Sequence, residues 1–256
     1  MMSFKYLPKL PVLLLICTLL LICALLCGCP LGTFAYKQQI MEQRVVYGRS
    51  VRNRPLRAVG LGTGTNVTLI FGGFHGNERS GPGVVDALYS YLRQRPELWL
   101  NCKVVLVPVA NPDGWQAGTR ENAHRVDINR NFPGTWQGSA RAARYSPGPA
   151  AASEPETRAI IRLIARYSPA KVVSIHQPFH LLNWTGARGR NLAAVMARQD
   201  HYPVTDSIGY PTPGSFGDYC GKHGIAVVTL ELPPGSVATG WRQNREALMA
   251  AITDRN

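Results

Sequence analysis

Four short apolar runs constrain the fold most: NVTLIFGGF from residue 66, KVVLVPV from 103, KVVSIH from 171 and IAVVTLEL from 225. Each is rich in β-branched residues and bounded by turn formers, the pattern of a buried strand. Segments with helical spacing lie between them. GPGVVDALYSYLRQRPELW places Val84, Leu88, Tyr91 and Leu92 on one face, and SEPETRAIIRLIARY opens with Ser153 and Glu156 spaced as a capping box. RNLAAVMARQD and WRQNREALMAAITD read as two more helices, and VVYGRSVRNRPLRAVGLGTG as shorter strand-like runs. Strands alternating with helices predict an α/β fold: a central mixed, largely parallel sheet flanked by helices. No internal repeat is visible.

Open α/β sheets build their sites where strands deliver residues into loops. Three of the four runs lead into ionisable side chains there, at His75, His176 and Glu231. A lone histidine is ordinarily a surface or hydrogen-bonded core residue, and a lone glutamate at a strand end is solvated; three together strain that explanation. His75, Glu78 and His176 offer two imidazoles and a carboxylate, the donor set of a catalytic zinc with a fourth position open for water. His75 and Glu78 sit in FGGFHGNERSG, whose four glycines are expected to let the backbone bend and aim both side chains at one point. Residues 111–152 form a long stretch rich in Gly, Arg and Asn, and such stretches are functional or disordered. It holds NPDGW and GTRENAHRVDINRNFPG, with Arg120, Asp127, Asn129 and Arg130 in close succession. Arginine forks bind carboxylates in a bidentate manner, so the loop reads as a dock for an acidic chain end.

The N-terminus sets the compartment. Lys5 and Lys9 precede an apolar run over residues 12–27, at the limit of a signal-peptide core and short of the roughly 20 residues of a membrane span. Gly28 followed by Cys29 resembles a bacterial lipoprotein processing site, although Cys27 stands where a small or aliphatic residue is usual. The alternative is an uncleaved anchor extended through Phe34. Either way the protein is expected to be exported and held at a membrane, on its periplasmic side. Residues 1–29 are then signal peptide or anchor, 30–44 a linker and 45–256 the catalytic domain. Four of the six cysteines belong to the leader; Cys102 and Cys220 remain, as a disulfide that export would permit or as two separately buried thiols. The formal charge of +13 suits anionic partners such as acidic peptides or lipid head groups. Without a run of five basic residues or a nucleic-acid motif, no nucleic-acid partner is expected.

HGNE, NPDG, VDINRNFP, a later SIH and a late TLELP resemble, in this order, the M14 zinc carboxypeptidases. YSPGPAAASEPETR and YPTPGSFGDYCGKHGIAVVTLELPP are similar to the murein peptide amidase branch of that family, and the likeness runs from about Val45 to the C-terminus. It implies a zinc carboxypeptidase-like fold and one zinc ion held by His75, Glu78 and His176. By the same likeness Glu231 is the general base and Arg120 polarises the scissile carbonyl. Asn129 and Arg130 grip the substrate's terminal carboxylate, Asp127 orients the first ligand histidine, and Tyr210 closes over bound substrate. The implied reaction is hydrolysis of the γ-D-glutamyl–meso-diaminopimelate bond in peptidoglycan-derived peptides with a free C-terminal carboxylate. A metallocarboxypeptidase of ordinary C-termini, an N-acyl amino acid deacylase and a non-catalytic wall-binding lipoprotein are the alternatives.

Several positions stay open at this level. Gln177–Pro178 is a candidate cis bond. Arg125 stands where the family commonly has glycine. Asp218 is either a partner for the distal amine of diaminopimelate or an acid placed at a helix N-terminus. The other histidines, His124, His180, His201 and His223, are assigned to structure or surface. NVT at Asn66 and NWT at Asn183 match a glycosylation pattern that arises often by chance.

Overall fold

The computed structural model describes residues 42–140 and 142–255. The apolar run, Cys29 and the greater part of the expected linker lie outside the described residues. Strands are β1 (Glu42–Arg49), β2 (Pro55–Leu61), β3 (Asn66–Phe71), β4 (Cys102–Val107), β5 (Lys171–His176), β6 (Leu181–Thr185), β7 (Val204–Thr205) and β8 (Ala226–Glu231). Helices are α1 (Ser80–Gln94), α2 (Pro112–Ala117), α3 (Pro155–Tyr167), α4 (Gly186–Asp200), α5 (Phe216–Lys222) and α6 (Val237–Thr253). The strands form one sheet in the order β1-β2-β4-β3-β5-β8-β6-β7. Its centre, β4-β3-β5-β8, is parallel, so these four strands end on the same side of the molecule. Antiparallel pairs add β2 and β1 at one edge and β6 at the other, making the sheet mixed as expected.

The apolar runs form central strands because both of their faces are buried. Leu69, Phe71, Val105, Val107, Val172 and Val227 share a core with Ile160 and Leu163 of α3 and with Phe216 and Cys220 of α5. The alternate residues Ile70, Leu106, Val173 and Val228 are as fully buried and turn to the opposite face, where α1, α4 and α6 pack. Each such side chain contributes about 1.5–3 kcal/mol on burial.

Local patterns were overridden in three places. The first strand begins at Glu42, so residues 42–44 of the expected linker belong to the sheet. Glu42, Gln43 and Arg44 pair with Leu61, Gly60 and Val59, their polarity being that of an edge strand rather than a tether. The capping box does not form. Ser153 Oγ donates to Glu154 Oε1 (2.8 Å) and accepts from Asn131 Nδ2 (2.9 Å), while the Glu156 carboxylate accepts from Val51 N (3.1 Å) and Asn122 Nδ2 (3.0 Å). Strands β6 and β7 carry no strand signal in the sequence, because five and two residues are too short to show a period.

Cys102 and Cys220 are free and buried, the second of the two arrangements expected. Burial pushes the Cys220 thiol well up, away from the reactive thiolate. Iodoacetamide is expected to label neither in the folded chain and both after denaturation, as read by peptide mass mapping. Asn66 donates to the carbonyls of Ile252 (3.2 Å) and Asp254 (2.9 Å), so its amide is committed to holding the C-terminal helix.

Candidate active site

The parallel centre brings three chain segments together. Across β5 and β8, His176 is the register partner of Glu231, so the two side chains leave neighbouring strands side by side. Strand β3 runs into the turn that carries His75 and Glu78. Two of its glycines act for different reasons. Gly73 makes the turn, with φ +62°. Gly76 admits a close neighbour: a Cβ there would stand 1.9 Å from the carbonyl carbon of Gly114. The expectation that all these glycines serve bending is therefore only partly met. Asn111 ties the two turns, accepting from Gly114 N (2.9 Å) and donating to Phe74 O (3.2 Å).

His75 Nδ1 lies 2.6 Å from Glu78 Oε1, His176 Nδ1 lies 3.0 Å from Glu78 Oε2, and the two Nδ1 atoms are 3.2 Å apart. On the far side of its ring, His75 Nε2 stands 3.1 Å from Asp127 Oδ1. With the proton on Nε2, His75 donates to Asp127 and presents the Nδ1 lone pair to Glu78 and His176. Metal-ligating histidines are oriented in this way. The His176 ring stacks on Phe74 at 5.6 Å and 21°. Among the described residues, these three side chains are the one set whose ligand atoms converge as a metal site, all within 4.8 Å. Two nitrogens and a carboxylate fit zinc and leave a position open.

The charges are arranged around that set. Burial opposes ionisation of Glu78, but His75 and His176 hold its carboxyl well below the usual range. Burial opposes ionisation of Asp127 too, and His75 and Arg120 outweigh it in the same direction. Burial disfavours the His75 imidazolium, yet Glu78 and Asp127 raise its pKa. Glu231 is the exception: burial, helped by Glu78, pushes its carboxyl up. Its Oε2 is buried without a hydrogen-bond partner. For Asp127 the consequence for stability is direct. A carboxyl depressed in the folded state stabilises above its unfolded pKa of about 3.9, and that contribution is lost as pH falls through the lower folded value. The metal-free protein is expected to lose thermal stability as pH drops from about 5 toward 2, with a flatter profile for Asp127→Asn. Calorimetry at several pH values checks this, and superimposable profiles would contradict it.

Residues 111–152 supply the opposite wall. Asp127 caps the turn Ile128–Arg130 by accepting from Asn129 N (2.9 Å). Arg120 donates from Nε (2.9 Å) and Nη2 (2.8 Å) to Asp127 Oδ2, and its Nη1 stands 3.6 Å from Glu78. Asn129 Oδ1 accepts from Phe216 N (2.8 Å), which turns its amide nitrogen from that contact. Arg130 is 6% exposed, donates to Asn129 O (2.7 Å), and has no carboxylate within ion-pair distance among the described residues. His75, Glu78, His176, Glu231, Arg120, Asn129, Arg130 and Tyr210 line one cavity of about 50 Å3, with Asp127 buried behind it. The sequence-expected residues are thus brought together.

Three open positions resolve. Gln177–Pro178 is cis. Arg125 is exposed and adopts φ +62°, which accounts for glycine being common there; Arg125→Gly is expected to raise stability by up to about 1 kcal/mol in chemical denaturation. Asp218 accepts from Thr135 Oγ1 (2.8 Å) in the first turn of α5, and its neighbour Gly217, not Asp218 itself, lines the cavity. Of the two readings of Asp218, this placement fits the acid at a helix N-terminus.

Sequence reasoning missed the floor of the cavity, Asn183, Thr185 and Thr229. Asn183 is paired with Thr229 across β6 and β8. Thr229 was within reach, since a residue two before Glu231 on a strand shares its face. It also assigned no role to Tyr145, the first residue of the YSPGP motif, whose ring sits 5.0 Å from the Arg120 guanidinium at the end of a short turn over Ala143–Tyr145.

The zinc carboxypeptidase family model matches residues 33–191. Murein peptide amidase A of Escherichia coli (strain K12) is 36% identical over 201 residues, 73% of this chain and 80% of the relative. The protein of the same name from Vibrio campbellii is 34% identical over 219 residues, 80% of this chain and 86% of the relative. The crystal structure of the murein-tripeptide amidase of Escherichia coli O157 superposes with a TM-score of 0.70 at 31% identity, covering 87% of this chain and 96% of that one. Carboxypeptidase A of Helicoverpa armigera shares the fold, with a TM-score of 0.72 at 20% identity over 84% of this chain and 68% of that one. With the sheet, the converging donors and these matches together, the chain belongs to the M14 zinc carboxypeptidase family and is a hydrolase acting on peptide or amide bonds.

Proposed function

We propose that the protein hydrolyses the γ-D-glutamyl–meso-diaminopimelate amide of murein peptides. The observation that carries the terminal-carboxylate part of this reading is Arg130, a buried guanidinium lining the cavity with no carboxylate within ion-pair distance among the described residues. Leaving such a charge unpaired is costly, so the cavity calls for an anionic group. The free carboxylate of the diaminopimelate residue supplies it, with the Asn129 amide beside it. That placement presents the scissile carbonyl to Arg120, which Asp127 holds fixed. Zinc, held by His75, Glu78 and His176, would supply Lewis acidity to the site. Glu231 Oε2, unpartnered and raised in pKa, takes a proton from the attacking water and returns it to the leaving amine as the C–N bond breaks. Water adds to the acyl carbon, and the products are a carboxylic acid and an amine.

Amidating the carboxylate on the diaminopimelate carbon that bears the scissile nitrogen is expected to lower kcat/KM on the order of 10²-fold. Equal hydrolysis of the amidated peptide would remove Arg130 from this role. An ordinary L-peptide cleaved faster than the tripeptide would shift the reading to a carboxypeptidase of protein C-termini.

The protein is further proposed to be exported and held at a membrane on the periplasmic side, on the strength of Lys5, Lys9 and the apolar run over residues 12–27. Among the described residues no helix is long and apolar enough to cross a membrane. Cys29→Ala distinguishes the two modes: a lipoprotein would lose its acylated, processed form, and an uncleaved anchor would fractionate unchanged.

A further inference from the structure

Tyr145 has no part in the reaction just described, yet it stands among its arginines. Its ring lies 5.0 Å from the guanidinium of Arg120, 5.7 Å from that of Arg130 and 4.8 Å from that of Arg144. Arg144 Nη2 donates to the Tyr145 hydroxyl at 2.8 Å. The ring is 6.2 Å from that of Tyr210, whose phenol is raised in pKa by burial and by the neighbouring Tyr145. Tyr145 also lines a cavity of about 310 Å3 together with Arg130, Pro211 and Pro213. Close packing therefore does not dictate where this ring sits. Its attachments to the arginines and to Tyr210 do.

Those attachments connect the arginines to the segment of Tyr210; Arg120 and Arg130 are already joined through Asp127, whose carbonyl accepts from Arg130 N (2.8 Å). Arg120 is fixed from behind by Asp127, and Arg130 by the carbonyl of Asn129. The two cations share one cavity and repel each other. An aromatic ring beside both offers its electron-rich face to each, and such contacts are attractive. Tyr210 comes from a different segment, between Gly209 (φ +89°) and Gly214 (φ +72°), and a Cβ at Gly209 would meet nothing within 4 Å. The Gly214 end is pinned, Gly214 N donating to Thr135 Oγ1 (2.8 Å) and its carbonyl accepting from Phe132 N (2.9 Å), while the Gly209 end is open, and the contact between the two rings gives that end a fixed point.

We propose that Tyr145 is a positioning residue for substrate, its ring setting the spacing of Arg120 and Arg130 and its hydroxyl setting Tyr210 at the mouth of the cavity. The inference rests on the amide-hydrolase reading for the roles of these three residues. The two halves separate by substitution. Tyr145→Phe keeps the ring and removes the hydroxyl, so KM is expected to rise about tenfold with kcat within about twofold of wild type. Tyr145→Leu removes both, and kcat is expected to fall about tenfold as well, a loss that Phe at the same position rescues.

The test is a double-mutant cycle of Tyr145→Phe with Tyr210→Phe on the full chain, with amide hydrogen exchange measured on the same proteins without substrate. The double variant is expected to match Tyr210→Phe alone in kcat/KM, and residues 206–213 to exchange faster in both Tyr145 variants. Additive effects, or an unchanged KM in Tyr145→Phe, would overturn the proposal while leaving the hydrolase reading intact. Should the wild type cleave no peptide offered, the exchange data still decide, and unchanged protection of residues 206–213 overturns it.

Discussion

Glu231→Gln is expected to lower kcat by about 10³-fold or more, with zinc content and melting temperature close to wild type. Glutamine has the shape of glutamate but cannot accept a proton. Glu231 is 5% exposed, and its Oε2 has no protein partner to lose. Because burial raises the pKa of this carboxyl, folding disfavours its charged form, and a neutral isostere removes that penalty. The melting temperature should therefore hold or rise slightly. Activity within tenfold of wild type would mean that another group moves the proton. A collapse of the fold would mean that the neighbourhood of Glu231 and His176 depends on a charge pair the account treats as secondary.

Removing the metal is the second large effect. Dialysis against a chelator is expected to abolish hydrolysis and lower the melting temperature, and stoichiometric zinc to restore both. The donors explain why magnesium should not substitute: two imidazole nitrogens beside one carboxylate suit zinc, whereas magnesium seeks oxygens in octahedral array. Stabilisation by a bound ligand grows with its excess over Kd, about 2.7 kcal/mol at a hundredfold excess. Asp127→Asn is expected to weaken zinc binding by about 10–100-fold, since Asp127 sets the orientation of His75. It also releases Arg120, so its kcat should fall even at saturating zinc. Zinc affinity by competition with a chromogenic chelator separates the two consequences.

The central strands were legible because they are buried on both faces, and burial on both faces writes an unbroken β-branched run into the sequence. The donors were legible for a related reason: strands of a parallel sheet end on one side, so His176 and Glu231 at the ends of KVVSIH and AVVTLE had to meet near the turn after β3. The arginine loop was legible from its residue types, though not the arrangement by which Asp127 serves His75, Arg120 and Asn129 at once. What escaped is what depends on partners distant in sequence. Ser153 and Glu156 have the spacing of a cap, but Asn131, Asn122 and Val51 compete successfully for their polar atoms. Gly76 looks like a flexible hinge until Gly114 is seen against it. Tyr145 opens the YSPGP motif, but that motif assigns it no role, and only the folded loop places it among three arginines.

The measurement that bears most directly on the account is release of free meso-diaminopimelate from L-Ala-γ-D-Glu-meso-diaminopimelate. It would be followed by mass spectrometry, with the zinc-loaded full chain in detergent and Glu231→Gln alongside. Release by the wild type is expected, with a loss of about 10³-fold or more in the variant. No release by a folded, zinc-bound wild type would contradict it and move the substrate to another acyl–amino acid bond.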